Sequence, residues 1–199
     1  MKVIKAVGFD YGGVMTGKPG SFFSNKVSNL LGISPEKYKE EYFKINHLPS
    51  TGKITWDEFW KMFVKKFHKE EKLDQLMGIV NKLHSKEVHE HMKALVLGLK
   101  RNGYKVGLLS NNTLEAITNF RNQGFYDLFD TVVVSAMVGY IKPDPEIFKL
   151  FINNLDVKAE ELTFIDDSMN SLKSAKEVGF HPIHYISFEK LLVDLNPVF

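Results

Sequence analysis

Four short runs of residues carry types and spacings that suit phosphoryl transfer. The first is Asp10-Tyr11-Gly12-Gly13, and the second is Ser110-Asn111-Asn112-Thr113. Lys142-Pro143-Asp144-Pro145 and Asp166-Asp167-Ser168 complete the set. A carboxylate can attack phosphorus to form an aspartyl-phosphate that water then cleaves. Two anions meet only with help from a cation, and magnesium takes oxygen ligands from one or two carboxylates, water and phosphate. Asp10 and Asp167 can supply such carboxylates, with Asp166 behind them. Lys142 and the Ser110 hydroxyl, with nearby backbone N–H groups, suit the equatorial phosphate oxygens. A second carboxylate two residues after Asp10 would add an acid/base, but that position is Gly12.

Each run also has a plainer reading. Gly12-Gly13 can supply positive φ in a tight turn. Ser110–Thr113 can cap the segment that follows, and Asp144-Pro145 can open the next helix. Asp167 and Ser168 can cap a helix from Met169 to Val178. What favours chemistry is that the four runs follow successive apolar segments of strand length.

Those segments are Val3–Phe9, Val106–Leu109, Thr131–Val134, Leu162–Ile165 and Pro182–Ile186. Helical patterns separate the last four, which predicts an α/β fold with a parallel sheet of about five strands. Ligands of such sheets bind at the carboxyl ends of the strands. Between the first two strands lie about ninety residues, far more than one crossover needs. The gap therefore predicts an insertion plus a crossover helix, Glu87 to Leu99, closed at Asn102-Gly103. Ser34-Pro35 and the Thr55/Glu58 capping box mark helix starts within the insertion. Phe22, Phe23, Tyr38, Tyr42, Phe43, Trp56, Phe59, Trp60, Phe63 and Phe67 read as a small helical core there.

Bulk properties exclude several function classes. At 199 residues, 44% hydrophobic and 13% aromatic, the chain can bury a substantial core. A net charge of +2, evenly spread, argues against nucleic acid. With no cysteine there is neither a disulfide nor a thiolate zinc site. The start, Met1-Lys2-Val3-Ile4-Lys5, does not read as a signal peptide. No stretch approaches the ~18 apolar residues of a membrane span, so the expectation is a cytoplasmic protein. His84, His89 and His91 match no single helical face and read as surface residues.

The runs Asp-x-Gly-Gly-Val, Leu-Ser-Asn-Asn-Thr, Lys-Pro-Asp-Pro-Glu-Ile-Phe and Phe-Ile-Asp-Asp-Ser-x-x-Asn resemble, in order, those of the haloacid dehalogenase-like hydrolase superfamily. They are similar to the branch that includes sugar-1-phosphate phosphatases and the phosphatase domains of soluble epoxide hydrolases. Thr51-Gly52-Lys53-Ile54-Thr55 with Asp57-Glu58-Phe59-Trp60 resembles that branch's helical cap. The resemblance implies a Rossmann-like core, residues 1–17 and 88–199, with an α-helical cap at 18–87. It carries the nucleophile onto Asp10, substrate binding onto Ser110 and Asn111, and the stabilising lysine onto Lys142. A magnesium site carries onto Asp10, the Gly12 carbonyl, Asp166 and Asp167, with Asp167 the direct ligand of the pair.

The departure is Gly12, where family phosphatases carry the acid/base aspartate. Its carbonyl keeps the metal site; its missing side chain removes proton transfer, typically worth ~10²–10⁴-fold. The expected substrate is therefore a small phosphate ester whose leaving group departs readily, such as an acyl, aryl or anomeric sugar phosphate. Two rival readings are a magnesium-independent haloacid dehalogenase and a binding or regulatory protein on an idle phosphatase fold. The cap chooses the substrate in such proteins. Lys18, His47, Lys53, His68 and the loop His47–Ser50 can face the site, but nothing in 18–87 spells a ligand. The chain can be a monomer or a homodimer.

Overall fold

A computed structural model describes residues 3–17, 21–83, 88–122 and 124–196, with the backbone alone at 21–23 and 83. Met1, Lys2, Lys18, His84 and Glu87, and the side chains of Phe22 and Phe23, lie outside the described set.

Five parallel strands form one sheet: β1 (Ala6–Phe9), β2 (Lys105–Ser110), β3 (Thr131–Val134), β4 (Leu162–Asp166) and β5 (His181–His184). Their order is β3-β2-β1-β4-β5. β1 is central, pairing Phe9 with Leu108 of β2 on one side and with Ile165 of β4 on the other. Chain connections diverge on either side of β1, which opens a crevice at its carboxyl end.

Between β1 and β2 lie α1 (Ser21–Leu31), α2 (Pro35–Ile45), α3 (His47–Ser50), α4 (Trp56–Lys66), α5 (Leu73–Val80) and α6 (Glu90–Arg101). After β2 come α7 (Leu114–Asn122) and α8 (Phe125–Leu128); after β3, α9 (Ser135–Val138) and α10 (Pro145–Leu155). α11 (Met169–Val178) follows β4 and α12 (Phe188–Leu195) follows β5. No helix of the described residues is long and apolar enough to cross a membrane.

Period-two alternation splits the sheet's side chains between two cores. Val7, Phe9, Val106, Leu108 and Ile165 pack with α6, α7, α8 and α12. Ala6, Leu109, Val133, Leu162 and Phe164 pack with α10 and α11. Gly8 and Gly107 pair across β1 and β2. A Cβ at either would lie within 2.7 Å of the Phe151 ring, so glycine lets α10 sit down on the sheet.

The insertion has an apolar cluster of its own, in which Tyr38, Trp56, Phe59, Trp60 and Phe63 are buried and Tyr42 and Phe67 partly so. Its caps agree with the sequence. Ser34 accepts from the Lys37 N–H ahead of Pro35, and Thr55 and Glu58 form a reciprocal capping box. Where the chain leaves the sheet and returns, the His89 N–H donates to the Met15 carbonyl at 2.9 Å.

Several boundaries differ from expectation. β1 begins at Ala6, and Val3 is exposed. β5 occupies His181–His184 and excludes Ile186, because an edge strand buries little and its pattern is weak. The crossover helix starts at Glu90 and ends as expected, with Gly103 left-handed at φ 85°. His47–Ser50 is a helical turn rather than a loop, and its Pro49 is buried.

Candidate active site

β1 ends by delivering Asp10 to the crevice, where its N–H donates to the Ile165 carbonyl of β4 at 2.9 Å. The chain then turns through Tyr11–Thr16, with the Met15 and Thr16 N–H groups both donating to the Tyr11 carbonyl. Only the second glycine of this turn needs to be one. Gly13 has φ 86°, whereas Gly12 lies outside the left-handed region and a Cβ there would meet nothing within 4 Å. The backbone does not demand glycine at position 12.

Asp166 is the last residue of β4, with Asp167 and Ser168 leading into α11. Ser168 caps that helix through the Ser171 N–H, while its own N–H donates to Asp166 Oδ1 at 2.8 Å. Lys142 does not follow β3 directly; α9, a left-handed turn at Gly139 and Tyr140-Ile141 intervene. Asp144 and Pro145 open α10 just beyond it, as the plainer reading expected.

Lys142 Nζ donates to Asp10 Oδ1 at 2.6 Å and to Asp166 Oδ2 at 2.7 Å. All three groups are buried, and the ammonium lies 5.4 Å from the Phe164 ring centroid. Burial pushes the Asp10 carboxyl up to about 7; Lys142 opposes that, and Asp166 and Asp167 add to it. For Lys142, burial favours the neutral amine, yet Asp10 and Asp166 outweigh it and hold its pKa above the ordinary lysine value.

Carboxylate oxygens of Asp10, Asp166 and Asp167 all lie within 4.8 Å of one another, the one such cluster of potential metal ligands among the described residues. The donors are hard oxygens, and one ammonium faces three carboxylates, so a divalent cation fits the deficit of positive charge. Both Asp166 oxygens already accept hydrogen bonds, from Lys142 and Ser168.

Ser110 ends β2, buried, and lines a cavity of about 630 Å³ with Asp10, Gly12, Lys142, Asp166 and Asp167. Asn111 lines it too, but its amide bridges the main chain of Lys142: Oδ1 accepts from the Lys142 N–H and Nδ2 donates to its carbonyl, both at 2.8 Å. Asn111 therefore also positions the Lys142 segment at the edge of the cavity. Sequence reasoning left Thr113 among the capping residues, yet its Oγ1 is buried in the cavity lining with no hydrogen-bond partner among the described residues.

The insertion closes the opposite wall with Tyr42, Phe43, Ser50 and Trp56. Phe43 is not part of the helical core; it is 67% exposed. Its signal was present, because Tyr38 and Tyr42 are four apart on one face of α2 and Phe43 falls about 100° away. α4 is held over the site by the Trp56 N–H, which donates to Glu115 Oε1 of α7 at 3.0 Å. His47, Lys53 and His68 do not line the cavity.

Comparison with known proteins matches this architecture. The chain is 32% identical over 121 residues to bifunctional epoxide hydrolase 2 of Sus scrofa, covering 58% of this chain and 22% of that protein. It therefore spans about a fifth of that relative's length. It is 27% identical over 191 residues to D-ribitol-5-phosphate phosphatase of Bacteroides thetaiotaomicron, covering 89% and 90% of the two. A solved structure from Bacteroides thetaiotaomicron, an aspartate-to-alanine variant of a HAD family enzyme in complex with magnesium and inorganic phosphate, superposes with a TM-score of 0.78. That pair is 25% identical, with 94% of this chain and 98% of the other covered. A family model matches residues 4–179, and the chain belongs to the haloacid dehalogenase-like hydrolases.

Proposed function

We propose that the protein is a magnesium-dependent phosphatase of small phosphate esters, with Asp10 as nucleophile and residues 18–87 as a cap over the core. The observation that carries this reading is the buried Lys142 bridging Asp10 and Asp166 beside Asp167, in a cavity at the carboxyl edge of the sheet. Relatives named as phosphatases and the magnesium–phosphate complex of a HAD family enzyme support it.

Magnesium, held by Asp10, Asp167 and the Gly12 carbonyl with Asp166 behind, would supply charge neutralisation between the anionic ester and the carboxylates. Asp10 attacks phosphorus through a carboxylate oxygen, and the bond from phosphorus to the leaving oxygen breaks with its electron pair. Lys142 orients Asp10 and offsets the charge on the transferring group. Ser110 and Thr113 supply hydroxyls to the phosphate oxygens, and Asn111 fixes the main chain of Lys142. Water then attacks the aspartyl-phosphate, gives up a proton to solvent and releases inorganic phosphate with Asp10 restored.

Gly12 provides no proton to the departing oxygen, so rate should depend steeply on leaving-group acidity. A screen of phosphate esters with magnesium, using Asp10→Asn as blank, tests the reading. Expected are phosphate release that the variant lacks, a steep dependence on leaving-group pKa, and a pre-steady-state burst because water activation is weakened too. Absence of Asp10-dependent release across acyl, aryl and alkyl phosphates would instead favour the binding-protein reading that Gly12 raises. Turnover without magnesium would favour a dehalogenase-like site.

A further inference from the structure

The two walls of the cavity have opposite chemistry. The sheet side carries the aspartates and Lys142; the insertion brings Tyr42, Phe43, Ser50 and Trp56. Among the described residues, the insertion thus offers the leaving group three aromatic rings, two hydroxyls (Tyr42 and Ser50) and no charge. Lys142, the cation of the lining, is held between Asp10 and Asp166.

Tyr42 stands edge-on to Phe43 with ring centroids 5.5 Å apart, and is itself packed against Phe59 and Trp60. Phe43 is therefore an exposed ring on an anchored support. Across the cavity, Gly12 leaves the space beyond its α-carbon open. A leaving group bearing a second phosphate or a carboxylate would lose water against a wall that, among the described residues, has no cation to receive it. A flat neutral group would instead cover Phe43 and gain ring contact. Phenol-like oxygens also depart without a proton donor, which meets the lack of an acid at Gly12.

Resting on the phosphatase reading above, we propose that the substrate is a phosphate monoester of an uncharged aromatic alcohol, its ring seated against Phe43 and Tyr42.

The test compares kcat/KM for 1-naphthyl phosphate and acetyl phosphate in the wild type, Phe43→Ala and Phe43→Trp, with magnesium present. Acetyl phosphate reports phosphoryl transfer with no ring to bind. The naphthyl-over-acetyl preference should fall about tenfold in Phe43→Ala, through KM, and be kept in Phe43→Trp. Phenyl phosphate with a ring carboxylate should be about tenfold poorer for the wild type than phenyl phosphate itself. An unchanged preference in Phe43→Ala, or a carboxylated ring handled equally well, would overturn the aromatic assignment and leave the phosphatase reading standing. No Asp10-dependent hydrolysis of any of these esters would overturn both.

Discussion

Two charge clusters in this molecule are inversions of each other. At the end of the sheet one cation, Lys142, lies among Asp10, Asp166 and Asp167. In the insertion one carboxylate, Glu41, lies among Lys37, Lys44 and Lys66. The lysines around Glu41 are about half exposed, so water carries the surplus charge and the cluster ties α2 to α4. Around Lys142 little water reaches, and the surplus is negative. Asp10 responds with a carboxyl pushed up to about 7. A hydrated surplus stabilises helices; a buried negative one fits a divalent cation.

Removing Lys142 should break that comparison most visibly. Lys142→Ala leaves two buried carboxylates without their cation, which costs about 3–5 kcal/mol. Turnover should fall about 10²–10³-fold through lost charge stabilisation. Urea melts in chelator at pH 8, alongside magnesium-dependent phosphate release, check both. A variant that stays active would remove Lys142 from the proposed mechanism.

Next come the adjacent glycines, which separate chemistry from backbone need. Gly12→Asp has open space and unstrained φ. It should leave the melting temperature almost unchanged, raise the rate on alkyl phosphates by about 10²-fold and flatten the leaving-group dependence. Gly13→Ala forces a side chain onto φ 86° and should cost about 1 kcal/mol with no change in that slope. A slope unaffected by Gly12→Asp would refute the missing-acid account.

Much of this was legible in the sequence because local signals are strong where burial is continuous. β2 and β4 are apolar runs ending in polar residues, and the cap at Thr55 and Glu58 announces α4. β5 blurred because an exposed edge strand places weak demands on side chains, and the start of β1 because Val3, ahead of the strand, is exposed. Contacts between distant segments were beyond reach. Nothing near Asn111 says that its amide will clamp Lys142, 31 residues on, and nothing near Glu115 says that it will hold α4, 59 residues away. Phe43 was misjudged because it was grouped by type with its neighbours rather than by its face of the helix.

The smallest expected effect is the sharpest contrast, since the clusters titrate with opposite sign. Glu41 is held down to about 2, first by its hydrogen bond from Lys66 and then by Lys44 and Lys37, against an ordinary value of 4.5. Its contribution to stability is therefore present above pH 4.5 and is lost as pH falls toward 2. Asp10 is raised from 3.8 to about 7, so in the metal-free protein it binds a proton more tightly folded than unfolded. Stability is then lost as pH rises from 3.8 to about 7. Denaturant midpoints from pH 3 to 8 in chelator should show Glu41→Gln less stable than wild type above pH 4.5, with the gap closing toward acid. Asp10→Asn should gain on wild type as pH rises toward 7, and added magnesium should erase that gain by stabilising wild type alone. Two curves shifting in the same direction would mean that the clusters are not the electrostatic opposites their geometry describes.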